Sequence, residues 1–95
     1  MASTKDYLEY VLDLLKEVDE ITFKRMMGEY ILYKDGIIFG GIYDNRFLVK
    51  ITESIEKYGF KREIPYPSAK EMYLIDIADS NDIRNIVLGL IKELK

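Results

Sequence analysis

Cysteine, histidine and tryptophan are absent from this 95-residue chain, and it has only two prolines. Without cysteine or histidine there can be no disulfide, no thiolate nucleophile, no imidazole relay and no zinc site of the usual Cys/His kind. The lack of cysteine fits any compartment and selects none. No stretch approaches the roughly 18 consecutive apolar residues of a membrane helix, and the longest apolar run, Ile37 to Tyr43, is interrupted by Gly40 and Gly41. The N-terminus, Met1-Ala2-Ser3-Thr4-Lys5-Asp6, meets charge at once and has no separate apolar core, unlike a secretory signal. A cytoplasmic chain without a membrane partner is expected. An excess of positive charge is lacking too. Fourteen Lys and Arg against 17 Asp and Glu give a net charge of −3, the wrong sign for neutralising many phosphates, so direct nucleic-acid binding is not expected.

What remains is a folding composition, 48% hydrophobic and 33% charged, in a length that accommodates a single domain over residues 1–95. Leu8, Val11, Leu12, Leu15 and Val18 recur at helical spacing, and Ser3 followed by Asp6 has the capping-box pattern. A helix is predicted over about 4–18. Tyr7 and Leu14 widen its apolar stripe, which suggests that one face packs on a sheet and another meets something else, a second subunit being one candidate.

From Ile21 the period becomes that of a strand. Ile21 to Arg25 leads into Met26-Met27-Gly28, and Glu29 to Lys34 then stops at Asp35-Gly36, a strong hairpin signal because both central residues of a type I′ turn need positive φ. Ile37 to Tyr43 is the return strand, Asp44-Asn45-Arg46 the next turn, and Phe47 to Ile51 a third strand of the meander. Thr52 is placed to cap a short helix carrying Ile55 and Tyr58, which Gly59 ends. Phe60 to Pro67 reads as irregular or as an edge strand, since Pro65 and Pro67 lack amide donors. Met72 to Ile77 is the last strand, and Asp79 or Ser80 caps a final helix on which Ile83, Ile86, Val87, Leu90, Ile91 and Leu94 follow the 3.6 period. The order α-β(3–4)-α-β(1–2)-α predicts an α+β fold, an antiparallel sheet meander flanked by helices.

Several residues invite a functional reading beside a structural one. Gly40-Gly41 within a strand gives up side-chain packing, so either a bulge or helix crosses closely or a ligand lies against bare backbone. By strand parity Arg46, Leu48 and Lys50 share one face, and Phe47, Val49 and Ile51 the core face. Arg46 and Lys50 are then solvated cross-strand partners of acidic residues, or a small cationic patch for a carboxylate or phosphate. The eight tyrosines serve as amphipathic core fillers, interface residues or base-stacking platforms. Asp76, Asp79 and Asp82 suit helix capping better than a metal. No catalytic residue, metal site or cofactor is assigned.

The run Arg25-Met26-Met27-Gly28-Glu29-Tyr30, with Tyr33, Gly36, Phe39-Gly40-Gly41-Ile42, Arg46, Leu48 and Lys50, and later Tyr66-Pro67, Ala69-Lys70 and Met72, resembles the N-terminal domain of the TfoX/Sxy family of DNA-competence regulators, over about residues 20–77. The resemblance implies a fold of the YgaC/TfoX-N type, similar to the secretion chaperones, and a domain that is often dimeric. It also implies a stand-alone N-terminal domain, the helical C-terminal domain of full-length members being absent from this sequence. It supplies no catalytic residue. Its motif positions Arg25, Met27, Gly28, Glu29, Tyr30, Gly40, Gly41, Arg46 and Lys50 are candidate binding residues or structural landmarks. The leading expectation is a non-catalytic regulatory module, a homodimer binding an unknown protein partner. The alternative is a binder of a small anionic ligand, or a minor enzyme, using Arg46 and Lys50 near Gly40-Gly41.

Overall fold

The computed structural model describes residues 2–95. The chain begins with helix α1 (Lys5–Leu14), continues as strands β1 (Ile21–Met26), β2 (Glu29–Lys34), β3 (Ile37–Ile42) and β4 (Phe47–Val49), and passes through a 3₁₀ helix (Glu53–Tyr58). It then forms β5 (Arg62–Glu63) and β6 (Met72–Leu74) and ends in α2 (Ser80–Leu94). The six strands make one open antiparallel sheet in the order β1-β2-β3-β4-β6-β5. The α+β meander with flanking helices is the expected fold.

Consecutive strands pair because the turns between them share one chemistry. Asp35 and Gly36 have φ of 52° and 78°, as the Asp-Gly signal requires. Two further turns use the same left-handed pair: Met27 and Gly28 at 52° and 83°, and Asp44 and Asn45 at 52° and 55°. The last is closed by reciprocal 3.0 Å bonds between the backbones of Tyr43 and Arg46. The Met27-Gly28 turn carries only half of the usual signal, since its first residue is methionine.

Helix α1 is shorter than the predicted 4–18. After Leu14 the amides reach back three residues, Lys16 N to Asp13 O and Val18 N to Leu15 O, which winds the chain into tight turns. Leu15 and Val18 stay buried there, so the apolar period outlasts the helix. The cap is Thr4, whose hydroxyl accepts from Tyr7 N at 3.1 Å; Ser3, the expected cap, is engaged elsewhere. Asp79 caps α2 by accepting from Asn81 N and Asp82 N. Thr52 stands at the start of the 3₁₀ helix without capping it, and Gly59 ends that helix at φ 67°.

Both helices pack on one face of the sheet. Leu8, Val11, Leu14 and Leu15 meet Ile83, Ile86, Val87 and Leu90 and the strand residues Leu32, Phe39, Ile42, Phe47 and Val49 in one core. Leu14 is only 6% exposed, and Tyr7 and Leu12 pack against the same core. The wide stripe of α1 is therefore covered within the chain, and the second subunit that was one candidate for part of it is not needed there. Strands β4 and β6 also end sooner than predicted. Ile51, expected in the core, is exposed because the chain has already turned toward the 3₁₀ helix.

Candidate functional site on the outer sheet face

The face away from the helices carries the candidate site, and a bulge shapes it. Leu32 pairs with Gly40 but Tyr33 with Ile38, leaving Phe39 as the extra residue of β3. The bulge presses Gly40 against β4. A Cβ on Gly40 would collide with the carbonyl of Leu48 and stand 2.9 Å from Val49 Cα. A Cβ on Gly41 would lie 2.6 Å from Tyr30 O and 2.7 Å from the Tyr43 ring. Backbone crossing and a folded-over tyrosine account for the glycine pair.

Glu29 gathers the neighbouring segments. Its Oε1 accepts from Ser3 N at 2.9 Å and from Ser3 Oγ at 2.5 Å, and its Oε2 accepts from Asp44 N at 3.0 Å. Asn45 N donates to Ser3 Oγ at 3.1 Å, and Asn45 Oδ1 accepts from Thr4 N at 2.9 Å. One carboxylate thus fastens the N-terminal segment to two hairpin turns. Arg46 plays the corresponding part at the other side. Its guanidinium donates to Glu63 Oε1 at 2.6 Å, to the carbonyls of Ile64 and Pro65 at 3.3 Å each, and through Nε to Tyr43 O at 3.1 Å. The fork matches this set of acceptors and holds residues 63–65 against the β3–β4 turn.

The segment so held brings Tyr66 to 6.1 Å from Tyr43, ring centre to ring centre. Between these rings and the β1–β2 turn lies a groove of about 480 Å³ lined by Met26, Met27, Glu29, Ile31, Tyr43, Pro65 and Tyr66. Its rim is open: Met27 is 97% exposed, Tyr66 58% and Met26 52%. Burial raises the Tyr43 hydroxyl pKa above its ordinary value, and the nearby Tyr66 and Glu29 push it the same way. Tyr43 is therefore a neutral hydrogen-bonding group at physiological pH. On the other side of the Tyr43–Tyr66 pair a second hollow, about 560 Å³, is lined by Gly40, Lys50, Ile51, Lys70, Glu71 and Met72 among others.

The structure brings Met27 and Glu29 to the apolar groove, and Gly40 and Lys50 to the second hollow. Arg46 is engaged by Glu63 and three carbonyls, so the cationic pair of Arg46 and Lys50 does not form. Lys50 instead shares its hollow with Lys70. Tyr30 is a core residue, and Gly28 and Gly41 shape backbone. Arg25 lies exposed on edge strand β1, opposite Tyr30 and outside both hollows. Sequence reasoning did not assign Ser3, Asn45, Glu63 or Lys70 to the site. The contacts of Ser3, Asn45 and Glu63 join positions distant in the chain, and Lys70 enters by lining the hollow beside Lys50.

These features define a small two-layer α+β module with helices on one sheet face and an apolar, tyrosine-lined groove on the other. The TfoX N-terminal domain family matches residues 13–73, and the chain belongs to it. It is also 36% identical over 78 residues, 80% of this chain and 68% of the relative, to an uncharacterized 12.7 kDa protein in the trpE 5′ region of Spirochaeta aurantia. No helix among the described residues is long and apolar enough to cross a membrane.

Proposed function

We propose that the chain is a non-catalytic, cytoplasmic interaction module that works in regulation as a homodimer and receives a protein partner on its outer sheet face. The carrying observation is the groove rim. Met27 is almost wholly exposed, adopts a left-handed φ of 52° and packs little within its own chain. A flexible thioether in such a position suits contact with another surface. Family membership supports the regulatory character. The test is affinity capture from the source cells with wild-type and Met26→Glu/Met27→Glu baits compared side by side. A partner held by the wild type and lost by the variant supports the reading; one held equally by both moves the contact off the groove, and a monomer without any partner overturns it.

A second reading is favoured by Lys50 and Lys70 in the neighbouring hollow. Among the described residues neither takes part in an ion pair, so the hollow suits a small organic anion with an apolar body. A ligand that binds only the folded state raises its stability. Thermal shifts with a panel of carboxylates and phosphate esters, abolished by Lys50→Ala/Lys70→Ala, would favour this reading, and a panel without shifts would remove it.

A further inference from the structure

Strand β1 is the long open edge of the sheet; the opposite edge, β5, has only two residues. Short strands are one way in which proteins protect an edge, and β1 has no such protection, nor a proline or a bulge against β2. Its hydrogen-bonding parity is fixed by Asp35 N, which donates to Glu20 O at 3.0 Å. Bonding toward β2 therefore falls on Glu20, Thr22, Lys24 and Met26. Ile21, Phe23 and Arg25 turn their N–H and C=O groups to the open side.

The charge along this edge is divided. Asp19 and Glu20 stand before the strand, and Lys24 and Arg25 fill its second half. All four are exposed, and among the described residues none is in an ion pair. An antiparallel copy sets the basic half of one strand beside the acidic entry of the other, and a parallel copy sets like beside like. We infer that two copies of this chain join by antiparallel pairing of their β1 edges across a two-fold axis at Phe23, extending the sheet from one subunit into the next. This rests on the homodimer reading above and specifies its surface.

The register is set by the aromatic side chain in the middle of the strand, and it leaves Asp19 and Glu20 as diagonal neighbours of the partner's Arg25 and the partner's Lys24 rather than directly opposite them. With the axis at Phe23, each Phe23 faces the partner's Phe23, Ile21 faces the partner's Arg25, and Thr22 faces the partner's Lys24. Every outward N–H and C=O of the strand then finds a mate. Phe23 is 46% exposed and already meets Tyr30 edge-on, with ring centres 5.9 Å apart, so the second ring extends an aromatic cluster. Moving the axis to Lys24 opposes two ammonium groups directly, which is destabilising.

The test uses two charge variants of the full chain, Lys24→Glu/Arg25→Glu and Asp19→Lys/Glu20→Lys, with the folded state of each verified by circular dichroism. Light scattering over a wide concentration range is expected to show a wild-type dimer, and each variant alone associating about tenfold or more weakly. An equimolar mixture restores the dimer, because the acidic strand of one then meets the basic flank of the other. A wild-type monomer at every concentration overturns this pairing and the homodimer reading together. A wild-type dimer with variants that self-associate equally well overturns the β1 pairing alone. Since the chain has no cysteine, a short bismaleimide provides a check independent of charge: Phe23→Cys is joined to its copy faster than Lys24→Cys, and the reverse order overturns the register.

Discussion

The hydroxyl of Ser3 lies 2.5 Å from Glu29 Oε1 across 26 positions of sequence, and the same hydroxyl accepts from Asn45 N at 3.1 Å. Glu29 also takes Ser3 N and Asp44 N, so it joins three separate pieces of chain. Hydrogen bonds to charged groups contribute roughly 1.5–3 kcal/mol each, and the groups released here can partly reach water. Glu29→Ala is expected to lower stability by about 2 kcal/mol in urea unfolding. Glu29→Gln should lose nearly as much, because its amide turns a donor toward donors. A loss under about 0.5 kcal/mol, within the usual range for surface changes, would show that the carboxylate is not a structural hub.

Gly40 and Gly36 separate two reasons for glycine. Gly36 has φ of 78° and open space where a Cβ would go, whereas Gly40 has an ordinary φ and β4 backbone in the way. Gly36→Ala is expected to cost about 1–2 kcal/mol from left-handed strain alone. Gly40→Ala should cost about 3 kcal/mol, at the top of the overpacking range, since a strand backbone cannot move aside as a side chain can. Thermal unfolding of the two variants gives their order directly. If Gly36→Ala proves the more damaging, the close crossing of β3 and β4 is not what selects Gly40.

Met27 predicts a gain of stability in place of a loss. The first central position of a type I′ turn favours Asn, Asp or Gly, and Met27 holds φ at 52° there while 97% exposed. Met27→Asn relieves the strain and removes little packing, so stability should rise by about 0.5–1 kcal/mol, in line with turn optimisation elsewhere. For a domain of this length that is a Tm increase of roughly 2–8 °C. If the methionine serves the groove, the same variant binds a captured partner more weakly.

Much of the fold can be read directly from local chemistry. Asp35-Gly36 announces its hairpin, Asp79 its helix, and the apolar spacing from Ile83 to Leu94 matches the buried face of α2. Those signals lie within a few residues and act through backbone conformation or a single period. The candidate site depends on longer connections. Arg46 reads as either the partner of an acidic residue or part of a cationic patch; the structure gives it an acidic partner, but the sequence does not name Glu63, 17 residues away, as that partner. The glycine pair was legible as a close approach, but not which backbone approaches. The Met27-Gly28 turn was hidden because tertiary pairing of β1 with β2 imposes on methionine a conformation that its own propensity does not suggest.

Arg46→Lys separates a fork from a charge. A lysine keeps the positive charge near Glu63 but cannot reach the carboxylate, two carbonyls and Tyr43 O from one planar group. Stability is expected to fall by about 1–2 kcal/mol, the worth of one or two lost hydrogen bonds. Proteolysis should attack residues 63–67 faster, because the clamp on that segment is loosened. Unchanged stability and cleavage would mean that strand β5 holds the segment without Arg46.

The final expectation concerns acid. Glu93 on α2 accepts from Ser54 N at 2.9 Å, tying the last helix to the start of the 3₁₀ helix. That backbone bond, with help from the hydroxyls of Ser54 and Thr52, holds the Glu93 carboxyl below its ordinary value of 4.5. A folded-state value lower than the unfolded one means that the ionised form favours folding. The contribution is therefore fully present above the unfolded value and is lost as pH falls through the folded one. The stability gap between wild type and Glu93→Gln should accordingly be constant near neutrality and close progressively as the solution is acidified below about 4.5. Urea midpoints measured for both proteins down to strongly acidic pH give the curve. A gap that persists unchanged in acid would assign the contact's contribution to packing of the side chain and not to its charge.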